Sequence, residues 1–355
     1  MIARWWERRR GSGEESAGRS APTSVGVPVG GTVLVLGVLS VLLCLVSLAV
    51  GSHSLTLEEV AGAFVPGRTT VASVIVWQLR MPRTVLAVMV GASLAVAGVV
   101  MQGLTRNPLA EPGILGINAG ASLSVVLSMS LLGLTDVSDF LWFAFAGAAL
   151  AAFLVHLMSL RSADAGPARL VLAGVALGAS LRSITGTITM YDSVTFDSYR
   201  FWVLGSLADR DAVLLVWVAP FLVVGLVLAL ASGLTLNALA LGEEQAKALG
   251  VSPRRARALA LTSITLLCGA STAAVGPISF VGLVVPQVLR LALGADQRRL
   301  LAVSLVAGPV LLLAADVVGR VILDSGEMEA GVVTAFIGGP VLLLMVIQRM
   351  GVKGR

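Results

Sequence analysis

The chain has 355 residues, of which 57% are apolar and 13% charged, with a formal net charge of +5. Soluble domains carry about 45–50% apolar and about 25% charged residues, so this composition excludes an ordinary soluble domain, with or without a single anchor. The mean hydropathy of +0.94 over the whole length points to a polytopic membrane protein.

Residues 1–28 hold Arg8, Arg9 and Arg10, followed by a Gly/Ser/Glu-rich stretch. They are expected to form a disordered, basic cytoplasmic tail. A hydrocarbon core takes about twenty apolar residues per helix. By that measure, spans are expected near 29–50, 82–104, 114–133, 139–160, 169–190, 212–232, 257–275, 279–293, 300–322 and 331–348. The first is too long for a signal-peptide core and lacks a cleavage site, so it is expected to be retained. The eighth is short, between Gly276-Pro277 and Gly294. The fold class is therefore all-α and polytopic, with about ten transmembrane helices in one domain over residues 29–350. Cys44 and Cys268 both fall within spans, which argues against a disulfide framework.

Basic residues are scattered over loop ends, as topology signals are, and are not gathered into a nucleic-acid-binding face. Eighteen of the 25 fall on one side, among them Arg8, Arg9, Arg10, Arg106, Lys247, Arg254, Arg255, Arg257, Arg298, Arg299 and Lys353. Arg68, Arg80, Arg83, Arg200, Arg210 and Arg320 fall on the other, and Arg182 lies within the fifth span. The bias predicts that both termini are cytoplasmic. The halves share an echo: Gly91-Ala92-Ser93-Leu94 precedes the break at Pro108, and Gly269-Ala270-Ser271-Thr272 precedes Gly276-Pro277 and Pro286. Transporters often contain repeats of opposite topology broken at matching positions, although Gly/Ala-rich helices also imitate one another.

Arg80 and Arg83 flank Pro82 at the outer start of the second span. Snorkelling would keep one such charge in water. Two on the side where positive charge is disfavoured suit docking of an acidic partner, because guanidinium binds carboxylate bidentately. Asp316 lies one helical turn before Arg320, a spacing that favours a structural pair. Asn107-Pro108-Leu109 stops the second span, since proline cannot continue a helix. Between the sixth and seventh spans, Leu239, Leu241, Ala246, Leu249 and Val251 alternate with Gly242, Glu243, Glu244 and Lys247, and Gly250 can end a short helix. This predicts a pair of short amphipathic helices within 236–253. They could dock a partner protein or lie at the lipid interface. The outer loop 191–211 carries Phe196, Tyr199, Phe201 and Trp202, consistent with an interfacial belt. No phosphate-binding Gly-x-x-x-x-Gly-Lys loop or Ser/His/Asp constellation is present, and His53 and His156 stand alone in sequence.

Four segments carry a family resemblance. Trp77 to Gly120, including Arg-Met-Pro-Arg and Asn-Pro-Leu-Ala-Glu-Pro-Gly, closely resembles the signature region of FecCD-type permeases. These are membrane subunits of ABC importers for iron chelates and cobalamin. Leu-Gly-Glu-Glu-x-Ala-x-x-Leu-Gly at 241–250, Gly276 to Gln287 and Glu327 to Pro340 match further family motifs in order. The resemblance implies a type II ABC importer permease fold without covalent chemistry of its own. It also implies a second permease, identical or different, and a pair of ATPase subunits that bind the ATP and magnesium. Arg80, Arg83 and Arg320 would dock a substrate-binding lipoprotein or periplasmic protein. Asn107 and Leu109 would line the gate. Leu239, Leu241, Gly242, Glu243, Ala246, Leu249 and Gly250 would seat in the ATPase. Phe201 to Leu207 would form a short re-entrant helix. Gln287 stands where the family usually has histidine, so a proton-linked role there is in doubt. The family's second gate loop falls at Ala165-Gly166-Pro167-Ala168, which lacks its hydroxyl residues, so no gate residue is carried over there. The motifs look most like ferric-siderophore members of the bacterial cytoplasmic membrane, with cobalamin or haem as alternatives. An ion-coupled secondary transporter would need ionisable groups within spans, where only Arg182, Arg290, Asp316 and Arg320 are candidates.

Overall fold

The computed structural model describes residues 28–51, 55–65, 70–134, 136–160, 167–323 and 326–353. The tail through residue 27, His53, Arg68 and Ala165-Gly166 lie outside them. In chain order the helices are α1 (Val29–Ala49), α2 (Leu57–Ala63), α3 (Val71–Thr105), α4 (Ile117–Leu132), α5 (Val137–Leu160), α6 (Pro167–Tyr191) and α7 (Ser193–Val203). There follow α8 (Ala212–Ala231), α9 (Gly233–Ala240), α10 (Glu243–Ala248), α11 (Pro253–Val275), α12 (Val281–Leu293), α13 (Gln297–Val321) and α14 (Ala330–Lys353). Eight are long and apolar enough to cross a membrane: α1, α3, α5, α6, α8, α11, α13 and α14. The shorter α4 and α12, of 16 and 13 residues, complete the ten expected segments.

The second span departs from expectation at its start. Helix α3 runs 35 residues and passes through Pro82 without a break. The turns just before the proline, Ile75–Arg80, are π-helical, and the Met81 N–H reaches back to the Val76 carbonyl. Proline lacks the N–H that a regular ladder would use. One widened turn absorbs the mismatch, as π-bulges do.

Helix α3 is the axis of the bundle. In its apolar window 83% of residues are buried, against 11% for α1, which rides on the outside. Lipid tails are as apolar as side chains, so membrane helices gain by close backbone approach at small residues. A Cβ on Gly98 would lie 1.9 Å from the Gly282 carbonyl oxygen of α12, and one on Gly91 would lie 2.7 Å from that of Gly308 in α13.

The echo between the halves corresponds to equivalent packing. Helices α3 to α6 and α11 to α14 form two quartets, each with a break and then a short second helix. Helix α3 packs on α13, the third member of the other quartet, and α11 packs on α5, the third member of the first. Gly91 accordingly faces Gly308 of α13, while Gly269 faces Phe145 and Ala148 of α5. The resemblance between the halves is therefore an internal structural repeat.

The aromatic loop also differs from its expectation. The short helix is Ser193–Val203, placed ahead of the expected Phe201 to Leu207, because Asp192 accepts from the Thr195 N–H at 3.1 Å and caps it. Gly205, at φ +74°, lies just past its end. Trp202 is not an interfacial anchor: it is buried, with Phe140 and Tyr199 against its ring.

Gly98→Val is expected to prevent recovery of monodisperse protein in detergent, since its side chain meets backbone. Gly339→Ala, where a Cβ meets nothing within 4 Å, should leave the melting temperature unchanged or slightly raised. Thermal melts read by size-exclusion chromatography check both.

Candidate functional site

Three features stand out: an arginine cluster at one end of the bundle, a pair of facing helix breaks, and an exposed helical elbow. The first begins with a problem of helix ends. The last carbonyls of α1 have no partner within the helix. Arg320 of α13 donates from Nη1 to the Ser47 carbonyl at 2.8 Å and to the Val50 carbonyl at 3.2 Å. Arg80 of α3 donates to the Leu48 carbonyl at 2.6 Å. Two guanidinium groups thus cap the negative end of the α1 dipole and fasten an otherwise lipid-facing helix to the core. Ser47 adds a hydroxyl contact to Thr84 at 2.8 Å. Gly51 leaves the room: a Cβ there would sit 2.9 Å from Arg80 Nη2.

Asp316 is fully buried and serves two arginines. Its Oδ1 accepts from Arg83 Nη2 at 2.8 Å and Nε at 3.0 Å, while its Oδ2 accepts from Arg320 Nη2. The i,i+4 pairing expected with Arg320 is present. Arg83 turns its remaining nitrogen outward to Glu327, at 2.6 Å. The stretch at Glu327 is therefore not a plain solvated loop. These findings correct the expectation of free outward-facing cations: Arg80 and Arg320 are buried and internally bonded, and only Arg83 is partly exposed. All three still line a cavity of about 600 Å³ at this mouth, together with Gln78, Asp209, Arg210, Asp211 and Glu327.

Two helix interruptions meet. Arg106, at φ +53°, ends α3 in a left-handed cap. The Leu109 N–H then donates to Asn107 Oδ1 at 3.0 Å, so Asn107 builds the turn through its own side chain. Leu109 is half-buried beside it, and Asn107 is exposed. The chain returns through a 3-10 turn, Pro112–Leu115, before α4 begins. From the other half, Phe280 at φ +70° precedes α12, and its N–H donates to Glu111 Oε1 at 2.7 Å. Thr272 donates to Asn118 at 3.0 Å, and Gln102 donates to the Gly282 carbonyl at 3.3 Å. Gln287 donates to the Pro108 carbonyl and, at 3.3 Å, to Gln102. Gln287 thus lies inside α12 and clamps the turn of Asn107 and Leu109. The sequence reading missed Glu111 and Gln102, whose one visible signal was a polar residue within or beside an apolar run.

The elbow separates its expected residues into two groups. Leu239 and Ala246 are buried with Ala238 and Ala256, where they seat α9 and α10 against α11. Leu241 and Leu249 are each 64% exposed and form its outer face. Gly242, at φ +122°, and Gly250, at φ +80°, take backbone conformations that disfavour a side chain. Glu243 pairs with Arg257 of α11. Asn237 donates to Asp296 at 2.9 Å and accepts from the Gln297 N–H at 2.9 Å. Asn237, followed by backbone N–H groups of α13, holds the Asp296 carboxyl below the ordinary aspartate range. The elbow is thereby tied to two long helices. Among the described residues, no three His, Cys, Asp or Glu side chains gather as a metal site.

Among the described residues, eight helices able to cross a membrane, two shorter apolar helices at paired breaks and a tethered elbow make up a multi-pass membrane protein. Residues 38–348 match the FecCD transport family, and the chain belongs to it. It is 44% identical over 305 residues to the ferric enterobactin permease FepD of Escherichia coli (strain K12), covering 85% of this chain and 91% of that one. It is 43% identical over 292 residues to the vitamin B12 import permease BtuC of Yersinia enterocolitica, covering 78% and 83%. A metal-chelate-type ABC transporter in an inward-facing conformation superposes with a TM-score of 0.79 at 28% identity, covering 90% of this chain and 99% of that one. The chain is a permease subunit of an ABC importer.

Asp316→Asn is expected to lower thermal stability strongly, by the ~3–5 kcal/mol typical of breaking a buried ion pair. Glu327→Gln, at the exposed rim, should cost no more than about 1 kcal/mol. Parallel melts of purified protein compare them.

Proposed function

We propose that the subunit carries ferric siderophore across the bacterial cytoplasmic membrane, with both termini and the α9–α10 elbow cytoplasmic and the arginine mouth outside. The observation that carries the substrate is the 44% identity to a ferric enterobactin permease over most of both chains. A 37% match over 308 residues to a siderophore permease of Bacillus subtilis (strain 168) adds to it. The skewed placement of arginine and lysine supports the orientation. Cobalamin remains a second reading because of the BtuC match. Radioactive iron supplied as ferric siderophore should enter cells that hold the gene and fail to enter cells that lack it, with cobalamin uptake unchanged. Selective loss of cobalamin uptake would transfer the assignment to the second reading.

Two such subunits would enclose a central route. The turns at Asn107 and Leu109 from each would meet near its inner end, where a narrow ring of amide and apolar side chains can close against ions. ATP and magnesium would be held by the partner ATPases, whose cycle shifts the population between gate states.

Docking of the binding protein would centre on Arg83, with Arg80 and Arg320 as its supporting frame. Glu327 already occupies the outer nitrogen of Arg83, so a carboxylate on the binding protein would exchange with it. Arg83→Glu should weaken docking by ~10-fold or more, as loss of a charge-assisted contact does. Glu327→Gln should strengthen docking, because the resident competitor is removed. Surface plasmon resonance on detergent-solubilised complex reads both, and equal affinity for all three proteins would count against the assignment.

Coupling to the ATPase would use the exposed Leu241 and Leu249, with Leu239, Gly242, Glu243, Ala246 and Gly250 shaping the elbow. Asp at positions 241 and 249 together should release the ATPase from affinity-purified permease while leaving the melt unchanged. Co-purification at the wild-type ratio would refute the coupling role.

A further inference from the structure

Helix α6 is the least apolar of the eight long helices, and among the least buried. It packs on α4, α5 and the Pro112–Leu115 turn, with Gly174 and Gly178 against that turn and Gly116. Its exposed residues include Ala179, Ser180, Arg182, Ser183 and Thr187 alongside the apolar Leu172, Val175, Ile184 and Met190. The hydroxyls of Ser180, Ser183 and Thr187 donate to carbonyls four residues back, at 2.9–3.1 Å, and keep their acceptor lone pairs for another partner. A lipid-facing surface of the same chain is built differently. Helix α8 contains no charge or hydroxyl and exposes Val213, Val216, Val223, Val224 and Val227. Helix α6 thus adds a charge and three hydroxyls to an exposed surface of a kind that α8 leaves wholly apolar.

Arg182 folds back along the helix, so that a Cβ on Gly178 would lie 3.6 Å from its Nη2. That places the guanidinium about 16 Å from one end of α6 and about 20 Å from the other, at 1.5 Å per residue. It therefore sits near the midpoint of a helix long enough to cross a hydrocarbon layer about 30 Å thick. Among the described residues it makes no hydrogen bond or ion pair. A charge at that depth faces water or a partner. It lies beside Gly116, where the broken segment turns into α4.

We infer that this side of α6 lines the water-filled transport route and that Arg182 is a specificity-determining residue for chelates of net negative charge. The inference rests on the ferric-siderophore reading and sharpens it to anionic chelates. The serine and threonine oxygens offer weak, sequence-tolerant hydrogen bonding along the wall, so cargo is not trapped. The fixed positive charge attracts an anion and repels bare cations, a role arginine also has in other pores. A ferric tris-catecholate is a trianion, and at roughly 8 Å in a wet route its attraction to one guanidinium corresponds to about tenfold in rate or occupancy.

The test uses the complete transporter, with permease pair, ATPases and binding protein, in proteoliposomes with radioactive iron as ferric tris-catecholate. Arg182→Gln should reduce uptake about tenfold and Arg182→Glu at least as far. Arg182→Lys, which keeps the charge, should remain close to wild type. ATPase stimulation by the binding protein and the permease-to-permease ratio should be unchanged in all three. Wild-type uptake by Arg182→Gln overturns the inference, as does a lysine variant as poor as the glutamine one. Loss of the second permease from the Arg182→Gln complex overturns it in favour of an ion pair between subunits. A wild-type transporter that moves no ferric chelate overturns the siderophore reading and this inference together, a result distinct from the others.

Discussion

No backbone N–H or C=O can be left unmet inside an apolar membrane bundle, and this chain breaks two of its helices against each other. Helix geometry satisfies its own polar groups, but the stretches around 106–116 and 276–280 give that up. The two breaks compensate each other. Glu111 from the first takes the Phe280 N–H of the second, Gln102 takes the Gly282 carbonyl, and Gln287 takes the Pro108 carbonyl. This exchange requires the segments to approach closely, which explains glycines 98 and 282 at the crossing. The internal repeat, the two short helices and the turn proposed as a gate all follow from it.

The mouth obeys the same accounting with charges. Arg80 and Arg320 cap carbonyls that α1 cannot satisfy itself, and Asp316 holds Arg83 and Arg320 together. Such a buried cluster is a weak source of stability but a strong source of definite geometry. Its one outward valence is the Arg83 nitrogen bound to Glu327. Structure and recognition thus use the same side chains, with burial deciding which does which.

The number and order of membrane segments were legible in the sequence because burial in lipid demands long apolar runs. The elbow was legible too, since Gly242 and Gly250 punctuate an amphipathic pattern. The extension of α3 back to Val71 was not, because Pro82 reads as a helix start unless a π turn precedes it. The roles of Arg80 and Arg320 were also hidden. Two arginines near an outer helix end look like free cations until a third element, the end of α1, comes to meet them. Glu111 and Gln102 escaped for the same reason: their partners lie more than a hundred residues away, in a half of the chain whose placement no local pattern reveals.

The clamp on α1 also has a consequence for how the protein is made. Ser47 and Arg320 are separated by 273 positions. At about 5–20 residues per second, the first helix leaves the ribosome on the order of tens of seconds before the side chain that fixes it exists. During that interval α1 has lipid and the α3 contacts of Arg80 and Thr84 to hold it. The second half of its docking is a late event in assembly, and nascent chains halted before α13 is complete would carry a first helix fastened to α3 alone.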